Sequence, residues 1–541
     1  MSKKIELLDC TLRDGAYITN SKFGVSAIKG IIKKMQAARV DIIECGWLKD
    51  KAHEFGTVFY HVPSDLEQYF LKKSPAATYV VMIDWDRYNT DNLPPYDGKS
   101  IDAVRVVFPH GKHREGIEVG KKIRAKGYKV FFQAANTLAY SNADLIDLAN
   151  CMNEFSPVSL SVVDTFGAMY SDDLERIVRL LDCELDKKIK LGFHSHNNQQ
   201  LSFALSINFV EMLQNSSRNI VVDSSLCGMG RGAGNATTEL VAAYLIRKHH
   251  AGYDLDEIMD AIDMYMQEFQ QKYTWGYSTP YFISGLYQCH VNNIAYLLNN
   301  HRTNAKDMRN IISSLSQAER RKYDYDLLEE KYIENQNRIV DDEANLNELR
   351  NTFQGKTILL LAPGKSIDSE YEKIQAFIAK NQPVVIGVNA INSNYNYDYL
   401  FFANSTRYKY AADIYDEKFK STKKIVLSNI KSGADAEEYI VNFNCAIKRG
   451  WEHFDNAIIC CLRLMNKLDV KNIVLAGFDG FKDNYTESYS DVNLPSLNPK
   501  NNWSELNEEI KNIFSDFIMS VKGKMQITFL TESIFDVKTN R

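Results

Sequence analysis

Short runs rich in β-branched and aromatic residues recur through the first half of the chain, most of them followed by stretches whose apolar positions repeat every three or four residues. Strand-like runs lie at Ile5–Asp9, Asp41–Cys45, Tyr79–Ile83, Ala103–Val107, Lys129–Gln133, Ser159–Val163, Lys190–His194 and Ile220–Ser224. Helical spacing marks Val25–Ala38, Gly116–Lys126, Asp172–Leu185, Gln200–Gln214 and Thr237–His249. The weakest helix candidate runs from Asp86 to Ser100, where Pro94 and Pro95 interrupt the pattern. Regular alternation predicts parallel strands joined by right-handed crossovers. Eight strands is the number that closes a (β/α)8 barrel of the TIM type, which favours it over a doubly wound sheet.

The pattern then changes twice. From about Tyr253 to His301 the chain reads as helical and aromatic, with WGYSTPYFISGLYQCH at its centre. Lys306 to Leu349 is dense in charge, yet Tyr, Leu and Ile recur through it, so a helical connector is expected instead of disorder. At Lys356 a new α/β alternation starts, with strands expected in KTILLLAPG, PVVIGVNAI, YDYLFFAN, KKIVLSN and NIVLAGFDG, and an end near residue 530. The whole reads as α/β: a TIM barrel with a helical extension over residues 1–300, a charged connector over 301–352, and a smaller Rossmann-like domain over 353–541.

A chain of 541 residues is too long for one ordinary core, in line with this division. Apolar residues at 45% and charged residues at 25% are ordinary globular usage. A formal net charge of −5 supplies no footprint for nucleic acid, leaving small molecules as the expected ligands. No apolar run is long enough to span a bilayer, and MSKKIELLDC has no apolar core of a signal peptide, so no membrane partner and a cytoplasmic location are expected. Nine cysteines without a regular framework fit a reducing compartment, and Cys460 with Cys461 reads as core packing. There is no CxxC pair to suggest structural zinc.

The candidate chemistry sits at strand ends. LLDCTLRDGAY brings Asp9, Thr11, Arg13 and Asp14 to the carboxyl end of the first strand, the end that faces the active site in such barrels. An adjacent Arg and Asp suits a site that must hold a cation and an anionic oxygen together, the carboxylate on the metal and the guanidinium on a developing enolate. GFHSHNN places His194 and His196 two residues apart on one strand, so both side chains point to the same side. Two imidazoles and a carboxylate leave open positions that a 2-oxo acid fills as a bidentate ligand. Such N and O donors favour Mn²⁺ or Mg²⁺, with Co²⁺, Fe²⁺ or Zn²⁺ as alternatives. CGMGRGAGN, Cys227 to Asn235, either cradles an anion at a helix start or covers the site and brings Asn235 to the metal.

DCTLRDG, HSHNN and GRGAGN, in that order, resemble the DRE-type TIM-barrel metallolyase superfamily, which includes 4-hydroxy-2-oxovalerate aldolase, hydroxymethylglutaryl-CoA lyase and the isopropylmalate and homocitrate synthases. DIIECGW and SGLYQCH resemble two further segments of its ketoacid aldolases. The resemblance implies Asp14, His194 and His196 as metal ligands, Asn235 as an additional metal contact and Arg13 as enolate stabiliser. It also implies Tyr287 as an acid or hydroxyl-orienting group and Glu44 as a support behind the ligands. In one place the chain departs from the pattern: Ala16 and Tyr17 follow Gly15 where the aldolases carry a basic His. Tyr17, His110, His113, His290 or a metal-bound hydroxide are the substitutes to weigh.

In the second domain, LLLAPGKSI sets Gly364, Lys365 and Ser366 after an apolar strand, a turn that matches a phosphate-binding loop only at the GKS tripeptide. With Asn389 and Asp479 at later strand ends, it resembles the nucleotide-binding halves of bacterial sialyltransferases and motility-associated glycosyltransferases, which implies a nucleotide or nucleotide-sugar ligand. The expected function is aldol cleavage or formation of a 4-hydroxy-2-oxo acid from pyruvate and an aldehyde, a sugar-derived aldehyde for surface polysaccharide being one candidate. Two alternatives stand beside it: Claisen-type condensation or lysis of an acyl-CoA, and an inactive barrel serving the second domain. A homodimer is the default oligomer.

Overall fold

A computed structural model describes residues 4–70, 72–300, 303–431, 437–448, 450–451, 456–482, 487–495 and 503–536. It divides into two compact units, Met1–Ile294 with Gln317–Lys322, and Ala295–Ser316 with Tyr323–Arg541.

The first unit is a closed parallel barrel. Its staves are β1 (Ile5–Asp9), β2 (Ile42–Leu48), β4 (Thr78–Asp84), β5 (Ala103–Phe108), β6 (Lys129–Ala134), β7 (Ser159–Asp164), β8 (Lys190–Ser195) and β9 (Ile220–Ser224). Each pairs with the next, and β1 returns to β2 through Leu8↔Ile42 and Asp9↔Ile43, which closes the ring. A two-residue strand, β3 (Phe59–Tyr60), adds outside β2. All eight expected strands are present, five of them one residue longer at the carboxyl end and β2 three residues longer. Amphipathic helices such as Val25–Ala37, His113–Ala125, Asn142–Phe155 and Ser171–Glu184 surround them. Between β4 and β5 only a short 3-10 turn, Thr90–Asn92, forms, as expected where two prolines remove helix donors.

Strand alternation layers the barrel interior. Leu8, Cys10, Ile42, Val80, Ala103, Phe131 and Val221 form one small apolar cluster. Two positions further along their strands come Glu44, Met82, Arg105, Gln133 and Asp223, so a polar layer lies on the apolar one. Gln133 Nε2 donates to Ser161 Oγ at 2.8 Å within it. In β2 the register shifts between Glu44 and Trp47. Gly46 makes this bulge possible, since its φ is +139° and a Cβ there would meet the Val58 carbonyl at 2.0 Å. The bulge turns Trp47 so that its indole N–H donates to the Arg13 carbonyl at 3.0 Å.

The second unit is built on a seven-stranded parallel sheet: β10 (Thr357–Leu361), β11 (Val384–Val388), β12 (Tyr399–Phe402), β13 (Lys423–Leu427), β14 (Glu438–Val441), β15 (Asn472–Ala476) and β16 (Gln526–Phe529). Their order is β14-β13-β12-β11-β10-β15-β16, so the winding reverses between β10 and β15. The five strands expected from sequence are there. The two missed ones, β14 and β16, are four-residue edge strands with half-exposed residues and no continuous apolar run. Cys460 and Cys461 are fully buried core residues. Within the charged segment expected as a connector, the helices Ala305–Ser314, Tyr325–Gln336 and Glu343–Phe353 belong to the second unit. The last buries Leu346, Leu349 and Phe353 in the core of its sheet. Positions 301 and 302, where that segment was expected to begin, lie outside the described residues. No helix among the described residues is long and apolar enough to cross a membrane.

Candidate metal centre

The turn after β1 is fixed by a buried carboxylate. Asp9 accepts from the Thr11 hydroxyl at 2.9 Å and the Thr238 hydroxyl at 2.7 Å. It thereby holds the short helix Thr11–Asp14, whose four side chains are all buried. Asp14 is thus presented to His194, whose Nε2 lies 3.5 Å from Asp14 Oδ2. The other imidazole nitrogen, Nδ1, is 3.1 Å from Asp223 Oδ2. A carboxylate behind a histidine fixes its tautomer and raises its basicity as a ligand. His196 packs edge-on to His194 with ring centroids 5.1 Å apart, and an isolated bridge joins it to Asn235. Asn235 Nδ2 donates to Asp14 Oδ2 at 2.5 Å.

Behind these groups runs an unbroken chain of buried charge. Arg13 Nη1 donates to Asp14 Oδ1 and its Nε to Glu44 Oε2, both at 2.8 Å. Arg105 Nη1 stands 2.8 Å from Glu44 Oε2 as an ion pair, and Arg105 pairs through Nη2 with Asp223, which leads back to His194. Three carboxylates face two guanidiniums, leaving one formal negative charge in a region shielded from water. Burial alone would raise the Asp14 carboxyl, but Arg13 and both imidazoles hold it down to about 2. Burial depresses His196 to about 4, with Asp14 opposing and His194, Arg13 and Arg231 adding to the depression. The site therefore presents an ionised carboxylate and a neutral imidazole, the forms that bind metal.

A divalent cation fits this set. The Asn235 amide oxygen and His196 Nδ1 are buried with no hydrogen-bond partner, and unsatisfied acceptors next to a surplus negative charge are what a hard cation would relieve. Cys10, Asp14 and His194 also have ligand atoms mutually within 4.8 Å. Cys10 is less suited, because its thiol donates to the Ser224 carbonyl at 3.1 Å and burial pushes it well above the usual thiol range. A second cluster, His113, Asp147 and Cys151, is different in kind, since Arg114 already neutralises Asp147 through two hydrogen bonds of 2.7 and 2.6 Å.

The carboxyl ends of the strands enclose a cavity of about 120 Å³ lined by Arg13, Asp14, Tyr17, Trp47, Asp84, His194, His196, Arg231 and His290, among others. Of the sequence candidates, Arg13, Asp14, His194, His196, Asn235 and Glu44 are thus brought together, and Tyr17 lies at the rim, 45% exposed. Tyr287 is not among the lining residues; its ring packs 5.2 Å from the Arg320 guanidinium. His110 and His113 pair with Asp144 and Asp147 on the outer helices. His290 does line the cavity, but burial and then Arg231 push it down to about 3, which makes it a weak base near neutral pH. Arg105, Asp223, Arg231 and Asp84 escaped the sequence reading. For the first two the signal was there: a lone charge inside an apolar strand, in AVRVV and IVVDS, must face a partner.

In the second unit the reversal of strand order opens a crevice, where ligands bind in sheets of this kind. A cavity of about 110 Å³ there is lined by Gly364, Asn389 and Asp479, and by Asn404, Arg407 and Tyr489. Lys365 and Ser366 do not line it. Ser366 donates both its backbone N–H, at 2.8 Å, and its hydroxyl to Asp479. The Ser366 donors expected to meet a phosphate are therefore already taken by a carboxylate, and the Gly364 N–H by the Gly477 carbonyl.

Residues 113–264 match the HMGL-like family model. The chain is 29% identical over 277 residues to a 4-hydroxy-2-oxovalerate aldolase of Salinispora arenicola, covering 50% of this chain and 76% of that protein. It is 28% identical over 263 residues to an oxaloacetate decarboxylase of Mycobacterium tuberculosis, covering 47% and 74%. The carboxyl transferase domain of pyruvate carboxylase from Rhizobium etli superposes with a TM-score of 0.47 at 13% identity, over 61% of this chain and 60% of that one. The barrel is thus similar to lyases and aldolases of the HMGL-like group.

Proposed function

We propose that the barrel is a divalent-metal-dependent carbon–carbon lyase that makes or breaks the C3–C4 bond of a 4-hydroxy-2-oxo acid through an enolate. The observation that carries this reading is the convergence of Arg13, Asp14, His194 and His196 on one cavity, with Asn235 bonded to Asp14 behind them and the His196 Nδ1 and Asn235 Oδ1 acceptors unsatisfied. Asp14, His194 through Nε2, His196 and the Asn235 amide oxygen would hold the ion. When bound, it supplies positive charge that polarises the 2-oxo group of the substrate.

The remaining work belongs to the chain. Arg13 is gripped by Glu44 and Asp14 through Nε and Nη1, so its third nitrogen is preorganised to donate to the oxygen that becomes negative in cleavage. Cleavage moves the C4 hydroxyl proton to a base, breaks C3–C4, forms the aldehyde carbonyl and leaves the electron pair on the enolate, which is then protonated at C3. We assign that exchange to Tyr17, which lines the cavity and whose phenol burial raises to about 12. The same enolate arises when a 3-carboxylated oxo acid loses CO₂, and the resemblance to an oxaloacetate decarboxylase favours testing that reaction in parallel.

The test is exchange of pyruvate methyl protons in deuterated water, followed by NMR. Exchange is expected to need Mn²⁺ or Mg²⁺ and to vanish in Asp14→Ala. No exchange in metal-loaded wild type, with no CO₂ from oxaloacetate, would remove the pyruvate reading and favour an acyl-CoA substrate or an inactive barrel.

For the second unit we propose a nucleotide or nucleotide-sugar ligand in the crevice between β10 and β15. In support, Arg407 is 3% exposed yet lines that cavity, its guanidinium 5.1 Å from the Tyr489 ring. Cytidine, uridine or guanosine diphosphate is expected to raise the melting temperature of the full chain. No response to any of them at millimolar concentration rejects this ligand class.

A further inference from the structure

Three arginines reach the interior or mouth of the barrel, and they differ in how their charge is met. Arg13 has two carboxylate partners, Asp14 and Glu44. Arg105 also has two, Glu44 and Asp223. Arg231, on the loop after β9, meets none among the described residues. Its Nη2 donates to the Asn292 amide oxygen at 2.6 Å and lies 3.3 Å from His290 Nε2. Its guanidinium sits 4.9 Å from the Tyr17 ring. Asp84, the other acidic group of the cavity besides Asp14, lies 3.9 Å from Arg87. All the contacts of Arg231 are with neutral groups, which hold the cation in place without cancelling its charge.

Its immediate neighbours differ from those of Arg13. The Arg13 guanidinium lies 5.8 Å from the Trp47 ring, Trp47 meets Tyr17 edge-on at 5.8 Å, and Tyr17 carries Arg231. The two guanidiniums line one cavity but lean on different rings, and Arg13 is already engaged by two carboxylates. Asn292 and Tyr17 also restrict the side chain, so little rotamer freedom remains to be lost on binding.

We propose that Arg231 binds an anionic group, a carboxylate or a phosphate, on the aldehyde half of the substrate, so that this half of the 4-hydroxy-2-oxo acid carries its own negative charge. The inference rests on the aldolase reading above and specifies its second substrate. Guanidinium pairs with either anion through two parallel hydrogen bonds, and the arms of the experiment separate the two. An uncharged aldehyde would leave a partly buried cation uncompensated.

The test measures aldol addition of pyruvate by the metal-loaded full-length protein. Succinic semialdehyde is compared with butanal, and glyceraldehyde 3-phosphate with glyceraldehyde. One anionic member is expected to exceed its uncharged counterpart at least 100-fold in kcat/KM. Arg231→Gln is expected to reduce that ratio to below 3, mainly through KM, and Arg231→Lys to retain part of it. The pair that shows the preference identifies carboxylate or phosphate. Preference for the uncharged aldehydes, a preference that survives Arg231→Gln, or proton exchange into pyruvate without turnover of either anionic aldehyde would each overturn the proposal. Should Arg231→Gln not fold, the Lys variant decides, because a ratio equal to wild type denies Arg231 its bidentate role. Absence of pyruvate exchange in the wild type is a separate outcome that removes the aldolase reading itself.

Discussion

The barrel mouth and the crevice of the second unit both stand at the carboxyl ends of parallel strands, yet they treat their polar groups in opposite ways. In the barrel, five charged side chains and His194 form a closed circuit with one negative charge in surplus, and four acceptors in or beside it, Glu44 Oε1, Asp223 Oδ1, His196 Nδ1 and Asn235 Oδ1, are unsatisfied. In the second unit, the turn that looks most like a binding motif spends both Ser366 donors internally on Asp479, and the Ser366 hydroxyl oxygen accepts from Thr531. An unfinished balance of charge and hydrogen bonds marks a site, and a finished one marks architecture. The same rule singles out Arg231, whose neutral partners contrast with the two carboxylates held by Arg13 and by Arg105.

The sharpest way to break this contrast is Arg105→Met. The barrel would then hold Glu44 and Asp223 with a cation removed from each, and stranding buried partners costs about 3–5 kcal/mol. Chemical denaturation of metal-free protein should register a loss of that size. A change below about 1 kcal/mol would mean that water reaches the charges and that the circuit is not sealed.

The circuit was only half legible beforehand. Asp14, His194 and His196 could be found because strand alternation is strictly two, so HSH at a strand end must direct both imidazoles to one side. Glu44 could be assigned to support but not to Arg105, nor Arg105 to Asp223, which stands 118 positions away and meets it only when the barrel closes. Tyr287 illustrates the opposite failure. A motif match carried it to the active site, whereas the chain sets the neighbouring His290 there and packs Tyr287 near Arg320. In the second unit the five central strands are continuous apolar runs and could be read directly. GKS could not, because a turn motif does not reveal which acceptor lies across from it.

A smaller effect separates the units by pH. His196 is held at about 4, below its ordinary value near 6.5, by burial first and then by nearby cations. The folded protein then binds fewer protons than the unfolded chain between these values, so this contribution is present above about pH 6.5 and is lost as pH falls towards 4. The full difference is worth about 3 kcal/mol. His196→Gln should flatten the stability of the metal-free barrel across that window. An unchanged slope would show that His196 is already open to solvent.

The smallest expected effect tests the finished side of the comparison. Ser366→Ala removes the hydroxyl that joins Asp479 to Thr531, and Asp479 is already pushed up by burial, a shift that Ser366 opposes. The backbone N–H of residue 366 would remain on the carboxylate, so only part of the arrangement is lost, at about 1–2 kcal/mol. If Ser366 is architecture, the variant melts earlier but keeps its response to nucleoside diphosphates, because Arg407 and Tyr489 line the crevice and Ser366 does not. If that response disappears while the melting temperature is unchanged, Ser366 touches the ligand, and the Asp479 contact is one that binding would displace.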